Sequence, residues 1–285
     1  MDPVTHALVG AALGSICAPS HVRLGALAGA LSGAAPDLDV LIRSSSDPLF
    51  SVEMHRHFTH SLLAAPVIGA LIATVLTRLV DDSPGWLRVW LCATLGAISA
   101  GLLDACTSYG THLFWPFSDV RIAWSVVSVI DPFLTPVLGA CVIAALWRDT
   151  NAWASAGIAT VACYLALGSV QHERAEWGIR SLAGQRGHHT TKVVVKPTLG
   201  NLVVWRGIYV AENQYWIDAV RVAWPGTTLA YPGSSISPAN TGTQSGLSSV
   251  QRTDVDRFTR LSEGFVVTHP DHPNVLGDIR YAMQP

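Results

Sequence analysis

The sequence predicts a mainly α chain: a polytopic helical membrane domain of about four full spans plus N-terminal half-helices, followed by a small C-terminal α+β soluble domain. Three observations predict it. Only 13% of the 285 residues are charged while 49% are hydrophobic, an unusual balance for a soluble enzyme. The charges are also uneven, with 18 of them in residues 1–170 and 20 in the shorter stretch 171–285. Finally, four apolar runs are each about long enough to cross a bilayer. The domain boundary is therefore placed between 170 and 171, and both lysines, Lys192 and Lys196, fall beyond it.

In chain order, residues 4–16 and 24–35 are apolar but shorter than the roughly 20 residues a span requires. They read as half-spanning or interfacial helices, and Gly10, Gly14, Gly25, Gly29 and Gly33 would let them pack closely. The full spans are expected at 62–80, 86–103, 126–147 and 152–170, with Pro66 and Pro136 kinking two of them. Counting crossings puts residues 55–61, Asp104, Asp131 and His172 on one membrane face with the C-terminal domain. In that domain, 171–186 reads as a short polar helix. Residues 190–196, 202–210 and 215–222 read as strands, the last two forming a hairpin. A flexible loop is expected at 232–249, then a helix from a capping box at Thr253 to Leu261, and short strands at 265–268 and 278–282.

Composition also excludes. Five cysteines scattered through apolar segments imply buried small hydrophobes rather than a disulfide framework. A net charge of −2 gives no electrostatic case for nucleic acid. Asp2 and His6 at the start of the first apolar run argue against a cleaved secretory signal.

The chemistry concentrates in His55-Arg56-His57-Phe58-Thr59-His60-Ser61, which sits before a long apolar run. Neutral imidazole is the commonest ligand for zinc-type ions, although this spacing is not the His-Glu-x-x-His zinc helix, and polar capping of a membrane helix remains open. Asp37 and Asp39 upstream, with His6 near the start, add the mixed oxygen and nitrogen donors of hydrolytic metal sites. Asp104 ends a span, where a carboxylate is expensive unless paired or bound to metal. Asp131, before Pro132, reads equally as a helix breaker or a site residue. His112 reads as interfacial, and His269 and His272 as surface residues.

With these residues in view, the chain resembles the YdjM-like family of bacterial inner-membrane proteins, described as membrane-bound metal-dependent hydrolases. The resemblance rests on Asp2-Pro3-x-Thr5-His6-x-x-x-Gly10, Pro36-Asp37-x-Asp39 and His55-Arg56-x-x-Thr59-His60-Ser61. It extends to Leu103-Asp104, Thr107-x-Tyr109-Gly110 and Trp115-Pro116-Phe117. It favours His55 and His60 over His57.

The expectation is a membrane hydrolase whose His6, Asp37, Asp39, His55, His60 and Asp104 bind one or two divalent ions, zinc first, manganese or magnesium as alternatives. A metal-bound water with its pKa lowered toward ~7 would attack an ester or phosphoester of a lipid or other amphiphile. Asp104 and Arg56 are the candidate catalytic residues, Arg56 either steadying a phosphoryl oxygen or pairing with an aspartate. Thr59 and Ser61 read as caps or outer donors to the ligands. The rival class is a non-catalytic metal-binding membrane protein or an ion transporter. Arg43, Arg56, Arg121, Arg174, Arg180 and Arg186 on the site's face, against Arg78, Arg88 and Arg148 opposite, lean toward a cytoplasmic site and tail.

Overall fold

Small residues decide how the first two helices meet. In the computed structural model, which describes residues 1–223, 226–240 and 247–281, α1 (Pro3–Cys17) and α2 (Val22–Ala34) are the most extensively packed helix pair. A methyl group at Gly10 would run into the Gly29 carbonyl, and one at Gly14 into the Gly25 carbonyl, so the two backbones touch. After α2 the chain tightens into a 3-10 turn, Ala35–Leu41, opened by Pro36. The short helix α3 (Phe50–Met54) and a second 3-10 turn, Phe58–His60, lead into α4 (Ala64–Leu79). Then follow α5 (Trp86–Ala105), α6 (Leu134–Arg148) and α7 (Ala152–Gln185).

Among the described residues, three helical stretches are long and apolar enough to cross a membrane: Val22–Leu41, Trp86–Ala105 and Ala152–Gln185. Phe50–His60 with Ala64–Leu79, bent by 74°, makes a fourth if the pair is one span. Leu71, Val75, Leu91 and Ile143 stand exposed on α4, α5 and α6, as side chains facing lipid would.

This differs from the sequence expectation in definite ways. The second half-helix gains its 3-10 turn and reaches 20 residues, whereas the expected span 126–147 is helical only over the 15 residues of α6. The cause is Asp131: its Oδ1 accepts from the Phe133 and Leu134 amides at 3.0 and 2.9 Å and so begins the helix there. Pro66 and Pro136 consequently lie in the first turns of α4 and α6, where a proline's missing N–H costs nothing and no kink is imposed. The separate polar helix expected at 171–186 is instead the continuation of α7, which runs unbroken for 34 residues.

The chain divides into two compact units. One comprises Met1–Ser44, Met54–Val170 and Pro197–Leu202; the other Ser45–Glu53, Gln171–Lys196 and Val203–Pro285.

In the second unit, β1 (Lys192–Pro197), β2 (Val204–Ala211), β3 (Gln214–Val222) and β4 (Thr228–Ile236) form a sheet in that order. The β2–β3 hairpin turns through Glu212 and Asn213, with φ of 53° and 56°, the paired left-handed residues of a type I′ turn. Strand β4 occupies the start of the expected loop 232–249, of which 241–246 lie outside the described residues. Helix α8 (Ser249–Leu261) begins earlier than expected, because the capping box is formed by Ser248 and Gln251 rather than at Thr253. Strands β5 (Val266–His269) and β6 (His272–Asp278) pair antiparallel. The strand expected at 278–282 is therefore replaced by one that ends at 278, and Ala282 lies outside the described residues.

Candidate metal centre

Asp2 fixes where α1 begins. Its carboxylate accepts from the Thr5 amide at 3.0 Å and the Thr5 hydroxyl at 2.6 Å, while Pro3 takes the first helical position. One residue on, His6 is fully buried with Nε2 3.2 Å from Asp104 Oδ1. The Asp2-Pro3-x-Thr5-His6 run is thus a helix start that aims an imidazole inward. Gly33 lies against the His6 carbonyl and Gly101 against the His60 carbonyl, so a side chain at either glycine would displace one of these histidines.

Asp104, on the last turn of α5, is fully buried. Its Oδ1 also meets the Met1 amino group, and its Oδ2 lies 3.1 Å from Arg56 Nε and 3.2 Å from His60 Nε2. From the 3-10 turn, Asp37 places Oδ1 3.5 Å from His60 Nε2. One donor atom each from His6, Asp37, His60 and Asp104 therefore lies within 4.8 Å of the other three. Donors bound at about 2.0–2.1 Å around a tetrahedral zinc stand roughly 3.4 Å apart, a spacing that His60 Nε2 already has from Asp37 Oδ1 at 3.5 Å and Asp104 Oδ2 at 3.2 Å. Its chemistry also fits: two imidazoles and two carboxylates suit zinc or manganese. His60 Nε2 and Asp104 Oδ2 are buried without a hydrogen bond, a condition that costs roughly 1–3 kcal/mol per group and that an ion between them would remove.

Asp39 and His55 are not part of that quartet. Successive residues of a 3-10 helix turn by about 120°, so residues two apart point away from each other. Asp39 accordingly accepts from His55 Nδ1 at 2.8 Å, the Arg56 amide at 2.8 Å and the Thr59 hydroxyl at 3.0 Å. His60 Nδ1 lies 3.4 Å from Asp39 Oδ2 and 3.1 Å from Thr59 Oγ1. Both partners fix the ring that presents Nε2 to the centre, as outer partners of metal-ligating histidines do. Ser61 caps α4, its Oγ accepting from the Ala64 amide at 3.2 Å.

Arg56 is 4% exposed and occupied by protein groups. Besides its ion pair with Asp104, its guanidinium donates to Thr107 Oγ1 at 3.1 Å and to the Met1 carbonyl at 3.0 Å. Its φ of 60° is left-handed, a strained conformation for a side chain of this size. The conformation is held because the Arg56 carbonyl accepts from the His112 amide at 3.2 Å and the Thr111 hydroxyl at 3.0 Å. The geometry therefore shows Arg56 paired with an aspartate.

Of the remaining candidates, Asp131 is bonded as a structural residue: besides starting α6, it accepts from the Tyr164 hydroxyl at 2.6 Å. His112 packs against His57 with ring centres 4.5 Å apart and a tilt of 45°. Burial, then Arg121 and His57, pull its pKa down to about 4. His269 and His272 sit at the exposed turn of the β5–β6 hairpin. Thr107 and Tyr109 are neighbours of the centre for which the sequence suggested no role. The Tyr109 ring centre lies 5.6 Å from that of His55, with Arg56 Cζ at 5.2 Å and Arg121 Cζ at 4.5 Å. Their only signal was membership of the Thr107-x-Tyr109-Gly110 run.

Apolar helices with exposed hydrophobic side chains, gathered around a buried cluster of histidines and aspartates, define a membrane protein with a possible metal site. The chain belongs to the YdjM inner membrane protein family, which it matches over residues 1–175. It is 29% identical to the uncharacterized protein YfhP of Bacillus subtilis (strain 168) over 178 residues, 59% of this chain and 51% of that one. It is 35% identical to the inner membrane protein YbcI of Escherichia coli (strain K12) over 134 residues, 44% of this chain and 75% of that one. The match thus spans about half the length of YfhP. No solved structure matches the chain.

Proposed function

We propose that this chain is a membrane-bound, metal-dependent hydrolase in which His6, Asp37, His60 and Asp104 hold a divalent ion, and that it cleaves an ester or phosphoester of a lipid or other amphiphile. The observation that carries the proposal is His60 Nε2, buried between the Asp104 and Asp37 carboxylates yet hydrogen-bonded to neither. An ion there supplies Lewis acidity toward water and toward the oxygen of the bond to be cleaved. Arg56 holds the Asp104 carboxylate in place through their ion pair, and Asp39 with Thr59 keeps the His60 ring in place. Asp37 and His55, with 11% and 32% of their side chains exposed, form the edge that a substrate can reach. Leu38, Leu41 and Phe58, all exposed, flank these two residues in sequence and suit an amphiphilic substrate better than a small polar one.

One observation favours the non-catalytic reading. Four protein donors close a tetrahedral structural zinc, whereas a catalytic zinc keeps a position open. Catalysis by four donors calls for an ion of higher coordination number, such as manganese, or for release of Asp37, the most exposed of them. The test is turnover of generic phosphodiester, phosphomonoester and carboxyl-ester amphiphiles by detergent-purified protein, with and without chelator. Chelator-sensitive turnover supports the proposal, and metal retained without turnover of any of them returns the centre to a structural role. The arginine asymmetry supports a cytoplasmic site and C-terminal unit. A C-terminal fluorescent fusion that matures only in the cytoplasm would glow, and an active periplasmic phosphatase fusion would overturn the assignment.

A further inference from the structure

A second cluster lies outside the centre just described. His57, between α3 and the 3-10 turn Phe58–His60 in the first half of the bent helix pair, meets His112 and Asp119 from the loop that follows α5. One donor atom of each lies within 4.8 Å of the other two. His57 Nε2 is 3.7 Å from Asp119 Oδ1, already close to the roughly 3.4 Å between donors on a tetrahedral zinc. The two imidazoles lie 4.5 Å apart between ring centres, tilted by 45°, although neither His57 Nδ1 nor His112 Nδ1 has a hydrogen-bond partner among the described residues. Two buried imidazole nitrogens without partners are a poor arrangement for a purely structural pair. The third member is different in kind: Asp119 is 86% exposed and opens the cluster to water. The Trp115 ring lies 5.9 Å from both His57 and Phe58 and packs beside the His57 imidazole.

We propose that His57, His112 and Asp119 form a second, solvent-facing site for a zinc-type divalent cation, separate from the buried quartet and independent of whether the protein is a hydrolase. Two imidazoles and one carboxylate are three protein ligands of the kind zinc takes, with the remaining position open to water. The ion would clip residue 57 to residues 112–119. These two segments are already joined by the His112 amide on the Arg56 carbonyl at 3.2 Å and by the Leu62 amide on the Leu113 carbonyl at 3.0 Å. The first also carries Arg56 and His60 beside the buried centre, and the loop that holds the second begins with Thr107 there. An ion at the surface would therefore stiffen the loop walls of that centre without touching its ligands.

The test uses full-length protein in detergent, stripped with chelator and dialysed against zinc, with bound zinc counted per chain. The double variant His57→Gln with His112→Gln should bind one equivalent less than wild type, whereas His60→Ala should retain that equivalent. Asp119→Asn is isosteric and alters a side chain that is 86% exposed, so it reads the site even if the double variant fails to fold. It should weaken the corresponding zinc affinity by ~10-fold or more, at least the effect of losing an outer partner. The proposal is overturned if the double variant binds as much zinc as wild type, or, where that variant does not fold, if Asp119→Asn binds zinc with unchanged affinity.

Discussion

Two aspartates, one in each unit, are buried beside an arginine, and they differ in how completely they are satisfied. Asp218 in the second unit receives Arg186 through both oxygens at 2.8 and 2.9 Å and the Gly233 amide at 2.7 Å. Arg186 also donates to the Tyr209 hydroxyl at 2.7 Å, and its pKa is raised above the ordinary arginine value, first by the bond to Asp218. Asp104 in the first unit has Arg56 at 3.1 Å, yet its Oδ2 and the His60 Nε2 facing it lack a hydrogen bond. A closed set of partners marks an ion pair that holds a fold together. An open set of the same residue types marks a place prepared for something else.

Crossed substitutions break this comparison if it is wrong. His60→Ala should lower metal affinity at the buried centre by more than ~100-fold, beyond the ~10–100-fold that outer partners command, and leave the helical circular dichroism unchanged. Metal analysis of purified protein decides; equal losses from His60→Ala and His57→Ala at this buried centre would mean the wrong imidazole was assigned to it. Asp218→Ala should do the reverse. It strands Arg186 and costs about 3 kcal/mol of stability in chemical or thermal unfolding, with metal content untouched. Smaller again is Asp39→Asn, which disturbs the ring of His60 without removing a donor and should weaken metal binding ~10-fold. If it abolished binding altogether, Asp39 would be a ligand after all.

The smallest effect sharpens the contrast from within the second unit, where not every buried charge is quiet. Lys196 is 8% exposed, and burial, followed by Arg280 and Arg206, lowers its pKa to about 7. Its folded pKa is below its unfolded one, so the unfolded chain binds more protons between about pH 7 and 10.5, and stability rises with pH across that window. From pH 7 to 9 the gain should reach up to about 2 kcal/mol, and Lys196→Met should flatten that slope in melting curves at the two pH values. Parallel slopes in variant and wild type would show that Lys196 keeps its charge through its bond to the Arg280 carbonyl at 2.6 Å.

Much of the fold was legible because its signals are local. Apolar run length marked the α5 and α7 segments, and alternation with a short turn marked the β2–β3 hairpin. The start of α6 was misplaced for a reason that was also readable: Asp131-Pro132 is a helix-start signal that a window of hydropathy averages away. In the candidate site, residue types pointed to His6, Asp37, His60 and Asp104, which the fold brings together, but could not separate Asp37 from Asp39. That separation depends on the turn being 3-10, which composition does not specify. The pairing of His57 with His112 and Asp119 had no signal, since it joins residues across a whole helical excursion.

The contact between α1 and α2 bears on how such a protein would look in a saturation mutagenesis experiment. Gly10, Gly14, Gly25 and Gly29 carry no chemistry, yet each faces a backbone carbonyl so closely that even alanine forces the helices apart. Parting them moves His6, near the start of α1, away from Asp37, just beyond the end of α2, at the same end of the pair. A map of intolerance would therefore rank these glycines beside the histidines and aspartates, and only a substitution's effect on bound metal at fixed expression level would tell the scaffold from the ligands.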